Sequence, residues 1–137
     1  MNITEAILRK LKCCPLLRQN RVNAIGFAGM DAKKRSMSIL NTKGALVAEE
    51  HIDGGCDMQY PFVLLYRSLD TDTAGKLEAQ KLIDDVADWL TAPENLPSIE
   101  GIEVQKLERA DTCTLISEDE TGADYQGSFA LYYYKEG

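Results

Sequence analysis

The sequence predicts an α+β fold, a mostly antiparallel sheet with two main helices packed on it, and three observations carry that expectation. Apolar residues alternate with period two along several stretches and switch to helical spacing in two others. The segments run in the order helix, strands, helix, strands, and the tight turn Asp53-Gly54-Gly55 joins two strands with no long crossover in view. The chain has 137 residues, 45% of them apolar. Folding at this size buries roughly two thirds of the unfolded surface, enough for a core without disulfides or metal. One domain spanning residues 1–137 is expected, with no linker, repeat or low-complexity segment.

The first helix begins at Asn2, which can cap it with Glu5 three residues on. Ile3, Ile7, Leu8 and Leu11 then form one apolar stripe before Pro15 stops the helix. Arg9, Lys10 and Lys12 occupy its other face. The stripe is short and lacks Trp or Phe, which favours packing on a sheet over lying on a membrane. Strand character follows in Val22–Gly26, Ser36–Leu40 and Leu46–Ile52, separated by an irregular basic segment from Phe27 to Arg35.

Asp53-Gly54-Gly55 is the strongest turn signal, because successive glycines permit positive φ at no steric cost. It leads into Cys56–Ser68, where Met58, Tyr60, Phe62, Leu64 and Tyr66 face one way and Gln59, Pro61, Val63, Leu65 and Arg67 the other. One face of the sheet should be covered and the second partly covered. Pro61 cannot donate to a ladder, so its side of the strand is expected at an edge or a bulge, where a neighbour could dock.

Asp70-Thr71-Asp72-Thr73 supplies caps for the second helix. Leu77, Leu82, Ile83, Val86, Ala87, Trp89 and Leu90 recur at helical spacing, and Pro93 lies beyond its end. Trp89 is expected to anchor this helix in the core. Asp84, Asp85 and Asp88 fall mainly on the opposite face and read as solvation. Strands are expected at Gly101–Glu108, Asp111–Ser117 and Tyr125–Tyr134, with an acidic turn at Glu118-Asp119-Glu120-Thr121-Gly122.

The formal charge of -7 argues against general nucleic-acid binding, since phosphate contacts come from Lys and Arg. That net figure hides a polarity. Residues 1–43 carry nine bases against two acids, and residues 44–137 carry six bases against twenty acids. Such a division can steer docking between copies of one chain. No apolar run approaches the roughly 20 residues of a membrane span, and Met1–Glu5 lacks the flank of a signal peptide, so a cytoplasmic start is expected.

Catalytic and cofactor chemistry finds little footing. Cys13, Cys14, Cys56 and Cys113 form no C-x-x-C pair, and His51 is the one histidine, too few ligands for structural zinc. No metal and no cofactor is expected. Gly26-Phe27-Ala28-Gly29 lacks a phosphate-loop signature. Cys56 and His51 flank the Asp53-Gly54-Gly55 turn and are the one nucleophile and base pair that sequence places together, but no orienting residue or oxyanion loop accompanies them.

Taken in order, several segments resemble one family. They are Val22–Gly26, Ser38-Ile39-Leu40, His51–Gly55 running into Gln59–Leu64 and Arg67, Ala87–Leu90 with Leu96-Pro97, and Ala123–Gln126 leading into Leu131-Tyr132-Tyr133. Their order and spacing resemble the minor capsid, or tail terminator, proteins of long-tailed phages and prophages of Gram-positive bacteria. The resemblance implies a non-enzymatic virion protein that caps the head-proximal end of the tail tube at the tail–head junction, assembled in the host cytoplasm. It also implies a sixfold homo-oligomeric ring, contacts with the major tail protein and head-neck proteins, and DNA passing through without specific binding. A bipolar subunit suits a closed head-to-tail ring. One departure is Gly29–Arg35, basic here where the family is often acidic and proline-containing. Lys33, Lys34 and Arg35, with Pro61, are therefore the candidate interface residues. The alternatives are another neck or head-completion protein, or a small thiol enzyme using Cys56 and His51.

Overall fold

The computed structural model describes residues 3–20, 22, 24–27, 35–42, 47–52 and 54–135. Asn2 of the expected helix cap and Asp53 of the expected turn lie outside them. Among the described residues the chain runs α1 (Ile3–Lys12), α2 (Pro15–Gln19), β1 (Ala24–Phe27), β2 (Ser36–Asn41), β3 (Val47–Glu50), β4 (Cys56–Ser68), α3 (Thr73–Thr91), β5 (Glu103–Arg109), β6 (Thr114–Glu118) and β7 (Ala123–Lys135). The α+β class with a mostly antiparallel sheet is as the sequence predicts.

Two strands of 13 residues, β4 and β7, form the spine of the sheet and pair antiparallel along their whole length, from Cys56 opposite Lys135 to Ser68 opposite Ala123. Each is flanked by two shorter strands placed end to end. On the outer side of β4, β2 covers Phe62–Arg67 and β3 covers Cys56–Met58. On the outer side of β7, β5 covers Phe129–Tyr134 and β6 covers Ala123–Gln126. β1 completes the sheet beyond β2 and runs parallel to it. That parallel pair is the exception within a mostly antiparallel sheet. Strand direction is set by which neighbour a segment finds, and local periodicity carries no record of it.

Alternation decides the faces. Phe62, Leu64 and Tyr66 of β4 point to the same side as Tyr125, Phe129 and Leu131 of β7, and all are buried. Phe62 sits directly opposite Phe129, ring centroids 5.4 Å apart and nearly parallel; Tyr66 likewise faces Tyr125 at 6.3 Å. Aromatic pairs at such cross-strand positions add attraction beyond their buried area. Onto this face α1 contributes Ala6, Ile7 and Leu11, α2 contributes Leu17, and α3 contributes Leu82, Ile83, Val86 and Leu90. Gln59, Pro61, Leu65, Gln126, Ala130 and Tyr132 lie on the opposite face and are half-buried.

Four local readings change. Pro15 ends α1 but also opens α2 as its first residue, because its fixed φ suits a helix start and its missing N–H is not needed there. α3 starts four residues before Leu77, with the Asp72 carboxylate accepting from Gly75 N at 2.7 Å. Leu77, two residues before buried Ala79 and so about 200° around the helix, is 68% exposed. Trp89 is only half-buried at the core margin, and Leu90 takes the central place expected of it. Lastly, β6 begins at Thr114 and not at Asp111, because the Asp111 carboxylate accepts the Ser128 N–H at 2.8 Å and replaces a ladder bond there.

β4 is a central strand, which corrects the expectation of a dockable edge at Pro61. Pro61 stands opposite Ala130 on one side, and on the other it falls in the notch between the end of β2 and the start of β3. Its carbonyl accepts from Thr42 N at 3.1 Å, and no ladder bond is asked of its nitrogen.

Candidate interaction surfaces

The two ends of the β4–β7 spine differ in how they treat charge. At one end Arg67 is buried, its side chain 4% exposed, an unusual state for a residue that carries its charge at any physiological pH. Its guanidinium donates to Asp124 across the β4–β7 pair at 3.1 Å, and to Asp119 at 2.8 Å and Thr121 Oγ1 at 2.7 Å in the β6–β7 turn. Asp124 also accepts from Ser117 Oγ at 3.0 Å. Asp119 in turn accepts from the N–H groups of Thr121 at 2.8 Å and Gly122 at 3.0 Å. The Thr121 hydroxyl and N–H, and then Arg67, hold the Asp119 carboxyl far below the usual carboxylate range. Gly122 is required by close approach, since a Cβ there would lie 2.5 Å from the Ser68 carbonyl oxygen. The acidic turn read from sequence is thus a clamp folded over one buried cation.

The same self-contained arrangement recurs along α3. Arg109 of β5 donates to Asp84 at 2.9 Å and reaches Asp88 at 3.4 Å, while Gln80 binds Asp84 at 3.1 Å and the Cys113 carbonyl at 2.7 Å. Lys76 pairs with Glu118 at 2.9 Å, Lys81 with Asp85 at 3.3 Å and Lys106 with Glu108 at 2.9 Å. The helix carboxylates Asp84, Asp85 and Asp88 are therefore ion-pair partners. Among the described residues, no group of three or more His, Cys, Asp or Glu is placed to hold a metal ion.

Around the β3–β4 turn the geometry separates the thiol from the imidazole. His51 Nε2 sits 3.1 Å from Asp57 Oδ2, and its ring meets Tyr134 edge-on at 5.6 Å between centroids. Cys56 Sγ is directed to the Gly54 carbonyl at 4.0 Å. Among the described residues no hydrogen bond joins Cys56 to His51. The buried thiols of Cys14 and Cys113 are pushed up from their ordinary range by loss of solvent.

Of the candidate interface residues, Lys33 and Lys34 lie outside the described residues. Arg35 is half-exposed and pairs with Asp70 at 2.8 Å, with a longer bond of 3.3 Å to the Asn20 carbonyl. Sequence reasoning missed three features: the Arg67 clamp, a fully exposed Ile52 at the hairpin tip, and a groove between α1 and residues 97–102. An Arg inside an alternating apolar strand was the available signal for the first. The groove had none, because its walls come from four separate parts of the chain.

The fold so defined is a helix-covered, mostly antiparallel sheet without a recognisable catalytic constellation among the described residues. No helix among them is long and apolar enough to cross a membrane. Neither a protein-family model nor a curated protein matches the sequence. Among solved structures the chain is similar to one from the virion of a native gene transfer agent particle, with a TM-score of 0.68 at 17% identity, covering 98% of this chain and 95% of that one. At that identity the likeness is one of fold.

Proposed function

We propose that this protein is a structural component of a phage or prophage virion. In that reading it is a tail terminator, forming a homo-oligomeric ring, six-membered by the family resemblance, on the head-proximal end of the tail tube. It has no enzymatic activity and needs no cofactor. The observation that carries the reading is the near end-to-end fold likeness to a virion chain, covering 98% of this chain and 95% of that one. The ordered sequence segments support the tail-terminator reading separately.

The neighbours in this reading are the major tail protein, the head-neck proteins and further copies of the chain. DNA passes through without specific binding, as a net charge of -7 favours. Lys33 and Lys34, with the exposed part of Arg35, are proposed to meet an acidic surface of the next subunit or the neck. A contact at Pro61 would be made face-on at the β2–β3 notch.

Negative-stain microscopy of tails produced with and without the protein tests the proposal. Overlong tubes that fail to join heads in its absence are expected. Tails of normal length that join heads without it would overturn the terminator role, and a block at head completion with normal tails would move the protein to another neck position.

A further inference from the structure

Charges are paired unevenly over the surface. Arg35, Arg67, Lys76, Lys81, Lys106 and Arg109 each hold a carboxylate of their own chain. Arg9, Lys10 and Lys12 of α1 and Arg18 of α2 have no ion-pair partner among the described residues, and all but half-exposed Lys10 are fully exposed. The acids divide in the same way. Residues 91–105 contain Glu94, Glu100 and Glu103 and no base. All three are exposed, and none is in an ion pair among the described residues. On a subunit whose other charges are largely matched internally, two unmatched sets of opposite sign define a surface that a complementary partner can complete.

One groove relates the two sets. Its walls are α1 on one side and residues 97–102 on the other. At one end, around a volume of about 210 Å³, Arg9 and Lys10 lie opposite uncharged Pro97 and Ser98. At the other, around about 390 Å³, uncharged Ile3 and Thr4 lie opposite Glu100, with Lys135 from the end of β7 beside it. Glu103 opens β5 three residues on. Bases and acids thus stand at diagonal corners of the groove, which is why they do not meet within one chain. A diagonal arrangement is self-complementary. A second copy turned about a two-fold axis through the uncharged corners sets Arg9 and Lys10 of each chain over Glu100 and Glu103 of the other, on both sides at once.

We propose that the face formed by α1 and residues 97–103 is a self-recognition surface, on which a second copy of this chain docks through a two-fold contact. Arg9 and Lys10 of each copy pair with Glu100 and Glu103 of its mate, and the half-buried Ile3 and Ile102 of both copies are covered between them. Such a contact is isologous and closes on two copies, so it is separate from the head-to-tail contacts of a ring and does not depend on them.

Charge reversal tests it. Arg9→Glu with Lys10→Glu makes both rims acidic, and Glu100→Lys with Glu103→Lys makes both basic. In sedimentation at low salt each double variant alone should self-associate about tenfold or more weaker than wild type, because like charges then face each other. Mixed, the two variants should form a one-to-one dimer at least as tight as the wild-type one, since every facing pair is again of opposite sign. That rescue also shows that both variants are folded. Added salt should loosen the mixed dimer and the wild-type dimer alike. Double variants that associate as wild type does, or a mixture no tighter than its parts, would overturn the surface. A mixture that grows into rings or fibres and does not stop at pairs would overturn the two-fold contact. A wild-type monomer at every concentration would overturn it as well.

Discussion

The Arg67 end and the Ile52 end lie at opposite ends of the same two 13-residue strands, β4 and β7, yet they use charge in opposite ways. At the first, a buried guanidinium meets two carboxylates and a hydroxyl from its own chain, and the β6–β7 turn closes over it. At the second, an aliphatic side chain stands in solvent while an apolar groove and the bases of α1 face outward. The difference teaches which surfaces are complete within one subunit. Charge satisfied internally contributes stability and definition to the fold; charge and apolar area left unsatisfied are available for association.

The comparison breaks most readily at Arg67. Arg67→Ala should destabilise the subunit by about 3 kcal/mol in urea denaturation, because it leaves Asp124 and the turn without their cation. Ile52→Glu should stay within about 0.5 kcal/mol of wild type, as surface changes do. Arg67→Lys should not restore stability, since a single ammonium cannot serve three acceptors spread across a fork. Equal effects at Arg67 and Ile52 would erase the distinction between the ends.

Gly122→Ala should cost less, about 1–3 kcal/mol, through the clash of its Cβ with the Ser68 carbonyl. The clamp also has a pH signature. Asp119 holds its proton less tightly in the folded chain than at the unfolded carboxylate value of about 3.9, so its contribution is present above that pH and fades as the pH falls toward the lower folded value. Asp119→Asn should therefore flatten the acid limb of the stability profile below about pH 4. An unchanged limb would remove Asp119 from the clamp.

Much of this architecture is legible in the sequence, for stated reasons. β4 was readable from Cys56 to Ser68 because alternation and a Gly-Gly turn act over neighbouring residues. α3 was readable from its apolar stripe, although the stripe's phase misplaced Leu77 and Trp89; type and spacing do not say which edge of a stripe points at the core. Pro15 reads as a stop in the sequence, yet the same fixed φ also begins a helix. What stayed hidden depends on partners distant in sequence. Arg67 finds Asp119 and Asp124 52 and 57 residues on, and the groove joins Ile3, Tyr60, Ile102 and Tyr133.

A smaller effect sharpens the comparison at its least defined point. Replacing Lys33, Lys34 and Arg35 together with Glu should cost the isolated subunit about 1 kcal/mol, the scale of a surface pair such as Arg35–Asp70, the ion pair it breaks among the described residues. Its larger consequence should be slower association, greatest at low salt, followed by light scattering across a salt series. Identical association at every salt concentration would return the segment to ordinary solvated surface.

Hydrogen–deuterium exchange on assembled and dissociated protein tests the central claim most directly. If the Ile52 end holds the association surface, assembly should protect amides of α1 and of residues 97–103, and leave the clamp at 117–124 unchanged. Protection concentrated at 117–124, with α1 and residues 97–103 exchanging as in the free subunit, would contradict it.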